Sequence, residues 1–493
     1  MKAQLLKTLR LLAVLLAASA TACDPSTSQQ LTVRPDAREA GTKQVDIQQD
    51  REPADLLIFG GTVVTMNTQR QVFENGAVAI VDGAIAAVGP ETDIANRFHA
   101  EETIRPHPRD IVMPGFVNGH NHAPMTMLRG VADDMALKDW LQDYIFPAES
   151  QLVNPDFVRT GTRLAALEMI RSGTTTFADM YYFEDDVASV IRDAGLRGVL
   201  GETILDNPTP DSATPDDALA YTEVFLQKWA THPRITPAVA PHAPYTVGPE
   251  TLRKAAELAR RYDAPLLIHL AETLDEIQTI SSRYGDTPVG YLESIGFLGT
   301  DLLAAHSVWV NSSDIETLAA RGVGVVHNPE SNMKLASGAM PIALLRQAGI
   351  AVGLGTDSPA SNNDLDMFGA MLTGALLHKF VDRDPTAMPA KELVALATIE
   401  GARALRMDDA IGSLEVGKRA DIIIVDGSRP NLVPRYNLYS HLTYAARGHD
   451  VKTTIVDGRI LYHNETFTTL DPETILGAAR KVANRVRQVV GDQ

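Results

Sequence analysis

The 493-residue chain carries 62 acidic against 44 basic side chains, a formal net charge of -18. That excess repels phosphate backbones, and no basic stripe stands out, which argues against nucleic acid as a partner. A single cysteine cannot build a disulfide framework.

Residues 1–22 carry Lys2, Lys7 and Arg10 and then the run "LLAVLLAASATA", too short for a comfortable permanent bilayer span. They read as a secretory signal, outside the fold. The run stops at Cys23 behind Ala20, Thr21 and Ala22, a pattern that resembles a bacterial lipobox, although Ala20 stands where leucine is usual. The resemblance implies export and a lipid on Cys23, anchoring the protein to the cell envelope on its periplasmic side. Asp24 resembles an inner-membrane retention signal of some bacteria, which leaves the choice of membrane open. Residues 23–53 are polar and lack apolar periodicity, so they are expected to form a flexible tether.

The body starts near Ala54 and leaves about 440 residues, enough for a barrel with a small attached domain. "GAVAIVDGAIAAVG" reads as a hairpin turning at Asp82-Gly83, and "TTIVDGRILY" as another turning at Asp457-Gly458. Residues 54–112 and 410–465 are thus expected to pair into one small β-sandwich domain built from both ends of the chain. Residues 113–409 alternate short β-branched runs with helical stretches such as "PETLRKAAELARRYD" and "PIALLRQAG". Eight runs can be counted, "GFVNGHNH", "TTTFADM", "RGVLGETI", "ITPAVAPH", "PLLIHLAE", "LLAAHSV", "VGVVHNP" and "VGLGTDS". Eight βα units predict an α/β fold, a (β/α)8 barrel, with its chemistry at the strand C-termini. In the last segment, 466–493, the stretch "DPETILGAARKVANRVRQVV" reads as a terminal amphipathic helix.

A bare H-x-H pair such as His120 and His122 is weak evidence for a metal. The other run ends strengthen it: His242, His269 with Glu272 three residues on, His306, His327 and Asp357 all lie at or near strand ends. Residues two apart in a strand point the same way, so His120 and His122 can grip one ion. His269 and Asp357 would complete the ligands, leaving His306 and Glu272 to handle a water. Imidazole and carboxylate suit one divalent ion, zinc first, with Fe2+ and Mn2+ as alternatives. His327 reads better as structural, while its neighbours Asn328 and Asn332 suggest a polar wall that contacts substrate. The remaining histidines, His378 among them, read as surface or satisfied core residues.

"VMPGFVNGHNHAPMTMLRG", "LLIHLAET", "HNPESNMKL" and "GLGTDSPASNNDLDMF" resemble the amidohydrolase superfamily, in the branch holding S-adenosylhomocysteine and 5'-methylthioadenosine deaminases and triazine hydrolases. The resemblance runs from Ala54 to about Tyr462. It implies metal ligation by His120, His122, His269 and Asp357. It further implies Glu272 and His306 beside the hydrolytic water, with Asp357 accepting its proton, His242 donating to substrate, and Glu149 holding ribose hydroxyls.

The implied activity is hydrolytic deamination of an adenosine-type nucleoside, a small heterocyclic substrate, with release of ammonia. One departure bears on the substrate. The branch is expected to supply arginines between the third and fourth runs for the carboxylate of S-adenosylhomocysteine, and none occurs between Arg197 and Arg234. Methylthioadenosine, adenosine or 5'-deoxyadenosine therefore fit better. Triazine or other N-heterocycle hydrolysis, guanine-type deamination and a non-catalytic solute-binding lipoprotein are the competing readings. The sequence leaves a homo-oligomer open.

Overall fold

Both turn dipeptides do what their chemistry predicts. Asp82 and Gly83 adopt φ of 51° and 71°, and Asp457 and Gly458 adopt 55° and 76°, the left-handed pair that a two-residue hairpin turn needs. The two turns also abut. A Cβ on Gly83 would lie 2.5 Å from the Asp457 carbonyl, and one on Gly458 would lie 2.8 Å from the Gly83 Cα, so glycine is required here for space as well as for φ.

The computed structural model describes residues 51–491. The expected signal and Cys23 lie outside the described residues, as does all but the end of the tether. That end already belongs to the body. Strand Glu52–Phe59 starts before Ala54, with Glu52 in register with Phe98 of strand Phe98–Ile104.

Two sheets face each other across an aliphatic core. The four-stranded sheet comes wholly from the first segment, in the order Ala84–Pro90, Gly76–Val81, Glu52–Phe59, Phe98–Ile104. The seven-stranded sheet joins both chain ends, because strand Ile422–Val425 pairs antiparallel with Ile111–Pro114. Ile58, Val78 and Ile80 from the first sheet pack with Val112, Ile422, Ile424 and Ile455 from the second. The segment from residue 466 opens on a short strand before its helix. Thr466–Phe467 still pairs as a strand with Arg459–His463. Only then does Asp471 cap helix Pro472–Val490, accepting from Glu473 N, and that helix buries Ile475, Ala479, Val482 and Val486.

The barrel comprises eight parallel strands in sequence order: Phe116–Asn121, Thr174–Tyr181, Arg197–Ile204, Ile235–Pro241, Leu266–Leu270, Leu302–His306, Gly324–His327 and Val352–Leu354. Seven fall within their β-branched runs, and Thr174–Tyr181 passes the end of its run by one residue. Its seam is made partly by side chains. Asn118 accepts from Thr356 N at 3.0 Å and donates to Thr356 Oγ1 at 2.7 Å, and Asp357 N donates to His120 O at 2.9 Å. Val117, Met180, Val199, Leu267, Leu303 and Val326 belong to one packed cluster with Ala402, Ala404 and Leu405 of the chain around helix Ile399–Ala404. The barrel is therefore a filled core whose open end is the C-terminal one. No helix among the described residues is long and apolar enough to cross a membrane.

Candidate active site

Four side chains converge at that end. His120 lies in the first strand and His122 follows it, His269 lies in the fifth, and Asp357 follows the eighth. His122 donates Nδ1–H to Met180 O at 2.6 Å, and His269 donates Nδ1–H to His242 O at 2.8 Å. A carbonyl can only accept, so each ring keeps a lone pair on Nε2. Those two Nε2 atoms lie 3.3 Å apart. Two facing lone pairs cannot share a hydrogen bond, but they can share a cation. Asp357 Oδ1 is 3.4 Å from Nε2 of both His120 and His122, and buried His120 Nε2 has no hydrogen-bond partner. Ligands at about 2.0–2.1 Å from one tetrahedral ion stand about 3.3–3.4 Å from each other. The residues present therefore fit a divalent metal.

Electrostatics agree with that fit. Burial would push the Asp357 carboxyl up, yet the adjacent His120 and His122 rings outweigh this and hold it well below the usual range. Burial lowers His120 to about 4 and takes His269 well below the usual imidazole value, so both are neutral donors at physiological pH. At His122 burial also opposes the proton, but Asp357 and Asp179 more than offset it. A cation competes with a proton for that ring's lone pair.

Beside these ligands lie Glu272 and His306. Nε2 of His306 is 3.8 Å from Glu272 Oε2 and 3.9 Å from Asp357 Oδ2, separations suited to a shared water. His306 Nδ1 lies 2.9 Å from Asn332 Oδ1, which makes Nδ1 the donor and leaves Nε2 to accept. Burial pushes Glu272 up, against the opposing influence of His306, so it can hold a transferable proton. His306, Ala271 and Asp357 have φ of 74°, 52° and 64°, and such left-handed geometry at non-glycine residues gathers at functional sites.

A cavity open to solvent lies over this cluster. Helix Phe146–Leu152 and the π-turn Trp140–Ile145 before it contribute Trp140, Ile145, Phe146 and Glu149 to its wall. Glu149 Oε1 accepts from Tyr181 Oη at 2.7 Å, and burial pushes its carboxyl up to about 7 against the Tyr181 bond. His242 also lines the cavity. Its Nδ1 meets Thr246 Oγ1 at 2.9 Å, and burial brings it down to about 3, keeping the ring neutral.

Asn332 departs from expectation. It is fully buried and lies outside the cavity lining, because helix Pro329–Lys334 turns it toward His306. Its Oδ1 faces His306 Nδ1 at 2.9 Å. His327 is likewise turned away, its Nε2 3.0 Å from His378 Nε2.

Residues 111–461 match the Amidohydrolase family. A 5-methylthioadenosine/S-adenosylhomocysteine deaminase of Syntrophobacter fumaroxidans is 48% identical over 88% of this chain and 99% of its own. The chain belongs to the amidohydrolase family. A 5'-deoxyadenosine deaminase of Methanosarcina mazei is 44% identical to this amidohydrolase over 88% of the chain and 98% of the relative. Among solved structures, an adenosine deaminase of Xanthomonas campestris with bound zinc superposes with a TM-score of 0.87 at 41% identity, covering 89% of this chain and all of that one. An atrazine chlorohydrolase of Arthrobacter aurescens complexed with zinc shares the fold at TM-score 0.80 and 24% identity, over 87% of this chain and all of that one.

Sequence reasoning passed over several residues of this amidohydrolase's site. Tyr181, one residue past the run "TTTFADM", donates its hydroxyl to Glu149. Ser337 donates to Glu272 Oε1 at 3.3 Å. Nothing in the local sequence of either residue signals these partners. Glu276 does carry a signal, standing three residues after Thr273, the N-cap of helix Leu274–Tyr284.

Proposed function

We propose that this amidohydrolase is a zinc-dependent hydrolytic deaminase of adenosine-type nucleosides, with methylthioadenosine, adenosine and 5'-deoxyadenosine favoured. The observation that carries the reading is Glu149, a buried carboxylate in the same cavity as the metal ligands and Glu272. A ribose diol offers such a carboxylate two donors. The names of the 44–48% identical relatives agree.

His120, His122, His269 and Asp357 would hold the zinc, which would supply Lewis acidity and lower the pKa of a water beside them. His306 Nε2 accepts from that water and aims it at the amidine carbon of the purine. Asp357, through Oδ2, is placed to take the water's proton. Glu272 passes its own proton to the adjacent ring nitrogen, making that carbon electrophilic as water adds. The carbon becomes tetrahedral. The proton taken by Asp357 passes to the amino group, which leaves as ammonia when the C–N bond breaks, and the hydroxyl proton returns to Glu272 as the oxo product forms. His242, neutral and beside the base, keeps one ring nitrogen for a hydrogen bond to the heterocycle.

A neutral 5' substituent remains favoured. Arg283 and Lys138 do border the outer groove that continues from the cavity, but so do Asp206 and Asp275, which offset them. Assays of ammonia release from methylthioadenosine, S-adenosylhomocysteine and adenine test the reading. Preference for the first supports it, and equal rates on adenine and its nucleoside oppose it.

The sequence reading of residues 1–23 further supports an exported protein held to the envelope by lipid on Cys23, with a homo-oligomer as an open arrangement. Cys23→Ser should then move the protein from the membrane to the soluble fraction with unchanged activity. A wild-type protein that fractionates as soluble and carries no acyl mass would refute the anchor.

A further inference from the structure

Helix Leu274–Tyr284 starts with a familiar signal. Thr273 is its N-cap, accepting from Glu276 N, and Glu276 stands at N3. In a capping box the N3 glutamate reaches back to the amide of the N-cap residue itself. Here it does something else. Glu276 Oε1 accepts from Ala271 N at 2.8 Å, and Oε2 accepts from Glu272 N at 2.9 Å. The carboxyl thus bypasses Thr273 and clamps two consecutive amides just beyond strand Leu266–Leu270. Its exposure is only 2%.

The clamped backbone is a strained one. Ala271 has φ of 52°, a conformation an alanine keeps only where its surroundings hold it. Its carbonyl is held as well, accepting from Val308 N at 3.0 Å and Trp309 N at 2.8 Å. The Trp309 indole donates to Ser337 O at 2.7 Å, and Ser337 Oγ donates to Glu272 Oε1 at 3.3 Å. Glu272 is therefore fixed at both ends, its backbone by Glu276 and its carboxyl by a loop anchored to the same turn.

We propose that Glu276 is a positioning residue for Glu272, setting the turn that aims the Glu272 carboxyl at the substrate. The proposal rests on Glu272 as the proton carrier and does not depend on which heterocycle is hydrolysed. A glutamine at 276 can accept with its oxygen, but its NH2 opposes the second amide, so the turn loses one of its two clamps. Proton transfer depends steeply on placement, and a misaim of about 1 Å can cost on the order of 10²-fold.

The test is a double-mutant cycle on the zinc-loaded full chain with its best substrate. Glu276→Gln should retain zinc, keep KM within about threefold and lower kcat by about 10- to 10²-fold. In a Glu272→Gln background the same change should cost nothing further, since the group it aims is already disabled. A purely structural residue would lower kcat in both backgrounds. Glu276→Asp keeps a buried carboxyl that is too short for both amides, and it should show the same kcat loss with zinc retained, so the claim survives poor folding of the glutamine variant. Wild-type kcat in both variants, zinc loss in both, or full additivity with Glu272→Gln would overturn the proposal. Undiminished turnover in Glu272→Gln alone would instead remove the proton-carrier reading on which it rests.

Discussion

Replacing Glu149 by alanine should convert a nucleoside-selective enzyme into one that barely distinguishes a nucleoside from its free base. The carboxyl is 4% exposed, and one of its oxygens is committed to Tyr181 Oη at 2.7 Å. Its remaining lone pairs face the cavity, where a ribose diol can donate two hydrogen bonds. Hydrogen bonds to a charged group contribute about 1.5–3 kcal/mol each. Part of this is offset, because a carboxyl pushed up to about 7 is only partly ionised in the empty site at neutral pH. Even one such bond at full strength gives about 2–3 kcal/mol, near 10²-fold at 1.36 kcal/mol per decade.

Adenosine should thus exceed adenine by at least about 10²-fold in kcat/KM, and Glu149→Ala should erase most of that gap while zinc stays bound. The pH profile gives an independent check. The acceptor is lost as Glu149 takes up its proton, so kcat/KM for nucleosides should fall as pH drops through about 7. Adenine should lack that limb. An ammonia-release assay with both substrates over pH 5.5–9 measures all of this, pH limits chosen to about 1.5–2 units around the transition. Equal losses on adenosine and adenine in the variant would refute the reasoning.

Asp357→Ala and His269→Ala should each reduce both bound zinc, measured by elemental analysis, and turnover, because each removes one of four ligands. Full zinc with normal rates in either would count against the ligand set. Stability should also depend on Glu330, whose carboxyl is pushed up to about 8 by burial and by the Asp364 charge, with Thr373 opposing. A buried acid with a raised pKa holds its proton longer when folded, so its contribution is complete below about 4.5 and is lost as pH rises through about 8. Between those values Tm should fall less in Glu330→Gln than in the wild type, and identical slopes would remove Glu330 as a cause.

The barrel was legible because each strand needed its own run of β-branched residues, and because metal chemistry demands a small set of side chains at strand ends. His120, His122, His269 and Asp357 carry that information in their identities alone. The seam between the first and last strands was not legible, since Asn118 and Thr356 make it with side chains 238 positions apart. The direction of Asn332 was not legible for a related reason. Its helix sets its direction toward His306, and a polar residue near a strand end can as well brace a catalytic group as touch a ligand. Glu276 sat in a pattern with an ordinary meaning, T-x-x-E before a helix. Only the turn at Ala271 redirects it. The terminal helix was legible from Asp471 on, because its apolar residues recur at helical spacing.

The most direct test of the account is the product of the zinc-loaded protein with methylthioadenosine. The account predicts one ammonia per nucleoside consumed and the corresponding 6-oxo nucleoside, with Glu272→Gln retaining zinc and losing about 10²-fold or more of the rate. Unchanged nucleoside beside active turnover of a chlorotriazine would contradict it.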